Sequence, residues 1–168
     1  MKLELKPKQL IKQIGVTDAD ALEEYMKTLE FGQDQYKAAN NRKILPIKHQ
    51  FVGHYSKPMV AQGYRDERIE KFLDIAYPGW EIALALHYRP GGNVDLHRDA
   101  TGYGQLAISV SSTDFVFRIE NERHECQRGA IYLFRTKVLH GTEPLDRERF
   151  TIVAWKIDWR KINYPEEF

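Results

Sequence analysis

The sequence predicts a mainly β fold with α-helices at its N-terminal end, a closed barrel or two-sheet jelly roll carrying the helices on one outer sheet. Three observations predict it. From Trp80 onward, about eight short strand-like runs separated by turn signals fill roughly 80 residues. Apolar side chains alternate within them, as where Ile82, Leu84 and Leu86 oppose Ala83, Ala85 and His87. Before Trp80, two stretches carry apolar residues at helical spacing instead.

The first of these runs from Asp18 to Phe31, with Leu22, Tyr25, Met26 and Leu29 on one face, Thr17 as the N-cap and Gly32 as the stop. Gln33 to Lys43 is polar and reads as a loop. Lys43 to Lys48 and Gln50 to Tyr55 read as short strands, the first confined to an edge by Pro46. Asp66 to Ala76 is the second helix, with Ile69, Phe72, Leu73 and Ala76 on one face and Pro78-Gly79 ending it. Glu81 to Tyr88 opens the β region, and Arg89-Pro90-Gly91-Gly92 signals a turn. The runs Val94–Asp99, Gln105–Val110, Asp114–Glu120, His124–Gln127, Ala130–Arg135, Val138–His140 and Phe150–Asp158 follow as further strands.

Bulk properties set bounds. At 168 residues, with 42% hydrophobic and 12% aromatic content, the chain suits one domain with a sizeable core. Residues 1–79 are expected to form a helical support and a substrate lid, and 80–160 the β core. Net charge is +1, from 25 basic and 24 acidic residues, so no global field draws the protein to nucleic acid, although a local basic face is compatible with it. One cysteine, Cys126, excludes an internal disulfide and suits a reducing, cytoplasmic compartment. The start alternates charge with Leu and lacks the apolar stretch of a secretion signal, and no apolar run is long enough to span a membrane.

The chemistry concentrates in His97, Asp99, His140 and Arg149. On a strand, residues two apart face the same way, so the His97 and Asp99 side chains can reach one ion while Arg98 points away. Taken alone, such a pair reads more readily as a hydrogen-bonded surface couple, and it is the company of His140 and Arg149 that changes the reading. His140 lies 41 residues after Asp99, far enough to come from another strand. Two His and one carboxylate on one face of a metal leave about three positions open. The triad by itself leaves zinc, manganese and iron all open. His49, His54, His87 and His124 lack this context and read as structural or surface groups.

Arg149 and Thr151 share one face of the last strand. A cation pointing into a barrel needs a counter-charge. Asp146 or Glu148 could supply it as a structural salt bridge, or a bound carboxylate could be held by the two-pronged guanidinium. Arg147 is the rival clamp but sits in a turn-like, solvated stretch. Tyr88, at the end of a strand, places a hydroxyl within reach of the same anion, or packs as a core tyrosine.

Tyr88-Arg89-Pro90-Gly91 followed by Leu96-His97-Arg98-Asp99, the segments Ala107–Ser111 and Phe115–Phe117, His140-Gly141-Thr142-Glu143-Pro144-Leu145, and Arg149-Phe150-Thr151 resemble, in order, the Fe(II)/2-oxoglutarate-dependent dioxygenases, most of all their AlkB-like branch. The resemblance covers Ile82 to Trp155, and it implies a double-stranded β-helix. It also implies Fe(II) held by His97, Asp99 and His140, and 2-oxoglutarate held by Arg149 with Thr151 and Tyr88. O2 would be the second co-substrate. The implied reaction couples oxoglutarate decarboxylation, releasing succinate and CO2, to hydroxylation of a substrate C–H bond. The chain departs from the branch at Trp155, where a second Arg is usual, at Leu86, where Asn is usual, and at Thr101, where an acidic residue is common. The primary substrate is left open between nucleic acid, protein, amino acid and other small molecules. Arg42, Lys43, Lys48 and Lys57 with Tyr36, Phe51 and Tyr55 are expected to form either a basic, aromatic lid or a solvated loop. A non-catalytic metal- or oxoglutarate-binding sensor and a zinc or manganese cupin-like enzyme are the other classes the same residues allow.

Overall fold

The computed structural model describes residues 3–164. Its elements run β1 (Ile11–Val16), α1 (Ala19–Met26), β2 (Gly32–Gln33), β3 (Ala39–Ile47), β4 (His49–His54), β5 (Lys57–Gln62) and α2 (Glu67–Ala76). They continue as β6 (Ile82–Val94), β7 (Tyr103–Ser111), β8 (Phe115–Ile119), β9 (Glu122–Cys126), β10 (Ala130–Arg135), β11 (His140–Thr142) and β12 (Arg149–Ile157), ending in a 3-10 turn at Trp159–Lys161. The named strands pair antiparallel in three sheets: seven strands in the order β1-β10-β7-β12-β6-β3-β2, three in the order β11-β8-β9, and the hairpin β4-β5.

Alternation along the strands divides the interior. Met26, Ile69 and Leu73 from the helices pack with Ala83, Ala85, Ile108, Val110, Ile152 and Ala154 on one face of the large sheet. On its other face Ile82, Ala107, Phe134, Trp155 and Ile157 meet Phe115, Phe117 and Ile119 of the small sheet. This is the expected mainly β sandwich of jelly-roll type with helices outside, and the fold class holds.

Several elements differ from expectation, each for a local reason. Asp18, not Thr17, caps α1, because its carboxylate accepts from the Asp20 and Ala21 N–H groups at 3.0 and 3.1 Å. The helix ends at Met26 rather than Phe31, where the Thr28 hydroxyl takes the Tyr25 carbonyl at 2.6 Å. α2 begins as expected, with Asp66 accepting from Ile69 N and Glu70 returning a carboxylate to Asp66 N, a reciprocal cap. The stretch read as a loop from Gln33 supplies β2 and most of β3; its polarity reflects a position at the sheet border. β1 and β5 were not legible, since neither alternates cleanly. The Arg89–Gly92 turn exists, but inside β6: Asn40 pairs with Asn93 and Arg42 with Tyr88, so four residues loop out opposite one and the strand then resumes. Gly91 takes φ +85° there, a backbone region open to glycine.

Candidate metal centre and anion pocket

Val94 to Asp99 is not the continuous strand expected. β6 stops at Val94, and His97 meets His140 in an isolated antiparallel bridge, each backbone N–H donating to the other's carbonyl at 2.9 Å. The two imidazoles are therefore placed by a reciprocal pair of main-chain bonds. Gly141 makes this approach feasible: a Cβ there would lie 2.6 Å from the Val94 carbonyl oxygen. Asp99 is fixed separately, its N–H donating to the Thr136 carbonyl at 3.0 Å.

The three side chains converge. Oδ1 of Asp99 lies 3.1 Å from His97 Nε2 and 3.0 Å from His140 Nε2. Each His turns Nδ1 to a backbone carbonyl at 2.8 Å, of Asp95 for His97 and Val138 for His140. A carbonyl only accepts, so Nδ1 carries the proton and Nε2 is left with a lone pair in the neutral ring. Three lone pairs converging at these distances repel unless a cation stands among them, either protons on the imidazoles or one metal ion. Adjacent ligands about 2.1 Å from an octahedral ion stand about 3.0 Å apart, which is the spacing found from Asp99 to each imidazole. The donor set thus fits a divalent metal. Burial tends to raise the Asp99 carboxyl, but hydrogen bonds and charge from His140 and His97 outweigh it and hold the group well below the usual carboxylate range. Its other oxygen accepts from Trp155 Nε1 at 2.8 Å. The Trp155 indole therefore orients the carboxylate.

Beside the trio, a cavity of about 330 Å³ is bordered by all six residues singled out from the sequence: His97, Asp99, His140, Arg149, Thr151 and Tyr88. Arg149 is 1% exposed, yet its Nε and Nη1 have no hydrogen-bond partner. Nη2 donates to Thr142 Oγ1 at 3.2 Å, and no carboxylate pairs with the guanidinium among the described residues. The structural salt bridge allowed by the sequence is absent: Glu148 instead meets His87 at 2.7 Å, and Asp146 and Arg147 are exposed. Burial is the main influence holding the Arg149 pKa below its ordinary value, with Tyr88 opposing and the Arg42 charge adding to it. The Tyr88 ring lies 4.0 Å from the guanidinium carbon, a cation–π contact. Thr151 exchanges a hydroxyl hydrogen bond with Ser111 at 2.7 Å on the same wall.

The residues considered for a lid separate. Tyr36, Phe51 and Tyr55 border the cavity together with Arg42. Arg42 is no surface cation, since Asp34 accepts from its Nε at 2.6 Å and the two side chains are only 7% and 4% exposed. Lys48 stands over the Trp80 ring at 4.9 Å. Of the two alternatives, a basic aromatic lid or a solvated loop, the basic part of the lid is thus reduced, while its aromatic residues border the cavity. Asp34, Ser111 and Thr142 escaped the sequence reading because their roles depend on which neighbours the sheet supplies.

No protein-family model matches the chain, and no curated protein matches it in sequence. Its fold is shared with solved structures of low identity. A Pseudomonas putida prolyl-4-hydroxylase is similar with a TM-score of 0.61 at 16% identity, over 88% of this chain and 92% of that one. OsALKBH1 gives 0.58 at 12% identity, over 82% and 90%. An oxidoreductase of the 2OG-Fe(II) oxygenase family from Burkholderia pseudomallei gives 0.57 at 10% identity, over 82% and 76%. The fold is therefore that of the 2-oxoglutarate/Fe(II) oxygenases, both AlkB-type and prolyl hydroxylase members included.

Proposed function

We propose that the protein is an Fe(II)/2-oxoglutarate-dependent dioxygenase in which His97, Asp99 and His140 hold the iron, and Arg149, with Tyr88 and Thr151, holds the distal carboxylate of 2-oxoglutarate. The observation that carries this reading is the buried Arg149 guanidinium, with two unpartnered nitrogens, in the same cavity as the His-Asp-His trio. Charge supports it. A divalent ion with one carboxylate leaves one positive charge, Arg149 adds another, and Arg42 is already cancelled by Asp34. A dianion that chelates at one end and carries a carboxylate at the other neutralises the site. Bound iron supplies the redox capacity by which substrate C–H, O2 and oxoglutarate become C–OH, succinate and CO2.

The chain's own residues do the positioning. The Asp95 and Val138 carbonyls fix the imidazole tautomers, Trp155 steers Asp99, and Phe51, Tyr103, Phe117 and Phe134 exclude water around the reacting face. For the primary substrate, the aromatic wall formed by Tyr36, Phe51 and Tyr103 suits a flat or apolar group, as AlkB-like oxidative demethylation of a nucleobase would need. The loss of Arg42 and Lys48 from any basic rim favours the second reading, a protein, amino-acid or small-molecule hydroxylase. The test is succinate formation from oxoglutarate with Fe(II) and air, screened with single-stranded DNA, peptides and amino acids. A true substrate stimulates turnover. Iron binding with neither succinate nor an anaerobic oxoglutarate charge-transfer band would make the protein a sensor instead of an enzyme.

A further inference from the structure

Arg42, Tyr88 and Arg149 stand in one row across three adjacent strands. Tyr88 of β6 is the register partner both of Arg42 on β3 and of Arg149 on β12. All three side chains border the cavity, and the Tyr88 ring has a guanidinium carbon on either hand, at 5.5 Å for Arg42 and 4.0 Å for Arg149. The two cations differ in partners. Arg149 has no carboxylate, whereas Arg42 gives Nε to Asp34 at 2.6 Å and Nη1 to the Tyr88 hydroxyl at 3.1 Å.

That second bond has a directional consequence. A phenol has one proton to donate, and Arg42 can only donate, so the Tyr88 oxygen is the acceptor in this pair. Its own proton is thereby left for another acceptor on the cavity side. A buried ion pair such as Asp34–Arg42 is seldom worth more to stability than apolar residues of the same size, so its place in the cavity wall calls for a role other than holding the fold. Asp34 fixes the guanidinium and cancels its charge, which leaves Arg149 as the uncompensated guanidinium of this row.

We propose that Arg42, held by Asp34, is a positioning residue that sets the Tyr88 hydroxyl to donate to the same carboxylate that Arg149 grips. The inference rests on the oxoglutarate reading of the pocket. It assigns β3, outside the region of family resemblance, a part in cofactor selection. It also accounts for a site without the branch's second Arg: the second guanidinium comes from a neighbouring strand and acts through a phenol.

The experiment is a calorimetric titration of oxoglutarate into Mn(II)-loaded protein, with Mn(II) affinity measured first for each variant as a check that the trio is intact. Arg149→Ala should abolish oxoglutarate binding at concentrations that saturate the wild type. Tyr88→Phe should weaken it about tenfold, the scale of one hydrogen bond to a charged group. Arg42→Ala should weaken it about fivefold to tenfold in the wild-type background but not further in Tyr88→Phe, because its effect travels through the hydroxyl. Arg42→Lys keeps charge but lacks the fork, and should fail to restore affinity. If Arg42→Ala disturbs Mn(II) binding, Arg42→Lys carries the same double-variant comparison. Affinity unchanged in the Arg42 variants, or an equal loss with and without the Tyr88 hydroxyl, overturns the proposal while leaving the pocket reading intact. Unchanged affinity in Arg149→Ala overturns the pocket reading itself.

Discussion

The two faces of β12 are equally hidden from solvent and chemically opposite. Phe150, Ile152 and Ala154 point to the helices and are 2%, 1% and 0% exposed; Arg149, Thr151 and Trp155 point to the cavity and are 1%, 5% and 5% exposed. The first set is purely apolar and packs with the helix-side core, so it leaves no polar group to satisfy. The second carries a guanidinium with two unpartnered nitrogens, a hydroxyl pair and an indole bonded to Asp99. Burial therefore does not separate a core from a site. What separates them is whether the buried polar groups are satisfied within the protein, and an unsatisfied one is an inference to a ligand.

The comparison breaks most sharply at the trio. Asp99→Ala or His140→Ala should lower divalent-metal affinity by at least about 100-fold, since even the partners that orient ligands are worth roughly 10- to 100-fold. Metal content after desalting checks it. Next, the two faces should respond with opposite signs. Ile152→Ala removes packing and should destabilise the fold by about 2–5 kcal/mol in urea titrations. Arg149→Met removes an uncompensated buried charge and should raise the melting temperature of the unliganded protein while abolishing oxoglutarate binding. A loss of stability in Arg149→Met would mean that the guanidinium serves the fold. Trp155→Phe keeps an aromatic ring, though a smaller one, but loses the N–H to Asp99, and should weaken metal binding about tenfold while costing the fold less than Ile152→Ala.

The smallest expected effect concerns Cys126, buried at the end of β9. Burial pushes its thiol up to about 12, so the folded state holds a proton that the unfolded chain releases near about 8.5. The stability this contributes is complete below about pH 8.5 and declines as pH rises toward the folded value. The urea midpoint should therefore be lower at pH 9.5 than at pH 8, and Cys126→Ala should flatten that difference. In the native protein the thiol should resist alkylation at pH 8.

Legibility followed the range of the interactions. The alternation of Ile82, Leu84 and Leu86 against Ala83 and Ala85 is local, and it correctly assigned the faces of β6. The helical spacing of Ile69, Phe72, Leu73 and Ala76 marked α2 for the same reason. The polar stretch from Gln33 to Lys43 hid β2 and the start of β3, while the strand read from Lys43 is the rest of β3; strands at a sheet border need little apolar alternation, and main-chain bonds hold β2 to β3 and β3 to β6. His97 and Asp99 were placed together from strand spacing. They do converge, but through an isolated bridge to His140 and a backbone bond to Thr136. The lysines of the supposed rim are dispersed by contacts that no local pattern encodes, such as Lys48 on Trp80.

By itself the sequence determined the mainly β class, the helices and their buried faces, and the residues whose chemistry converges in the cavity, because side-chain type and short-range periodicity are properties of the chain alone. Tertiary structure decided how those residues are completed. It gave Trp155 to Asp99, left Arg149 without a carboxylate, and set Arg42 and Arg149 on either side of Tyr88. Each of these depends on sheet register between strands far apart in sequence, and a shift of one residue would turn the side chains to the opposite face.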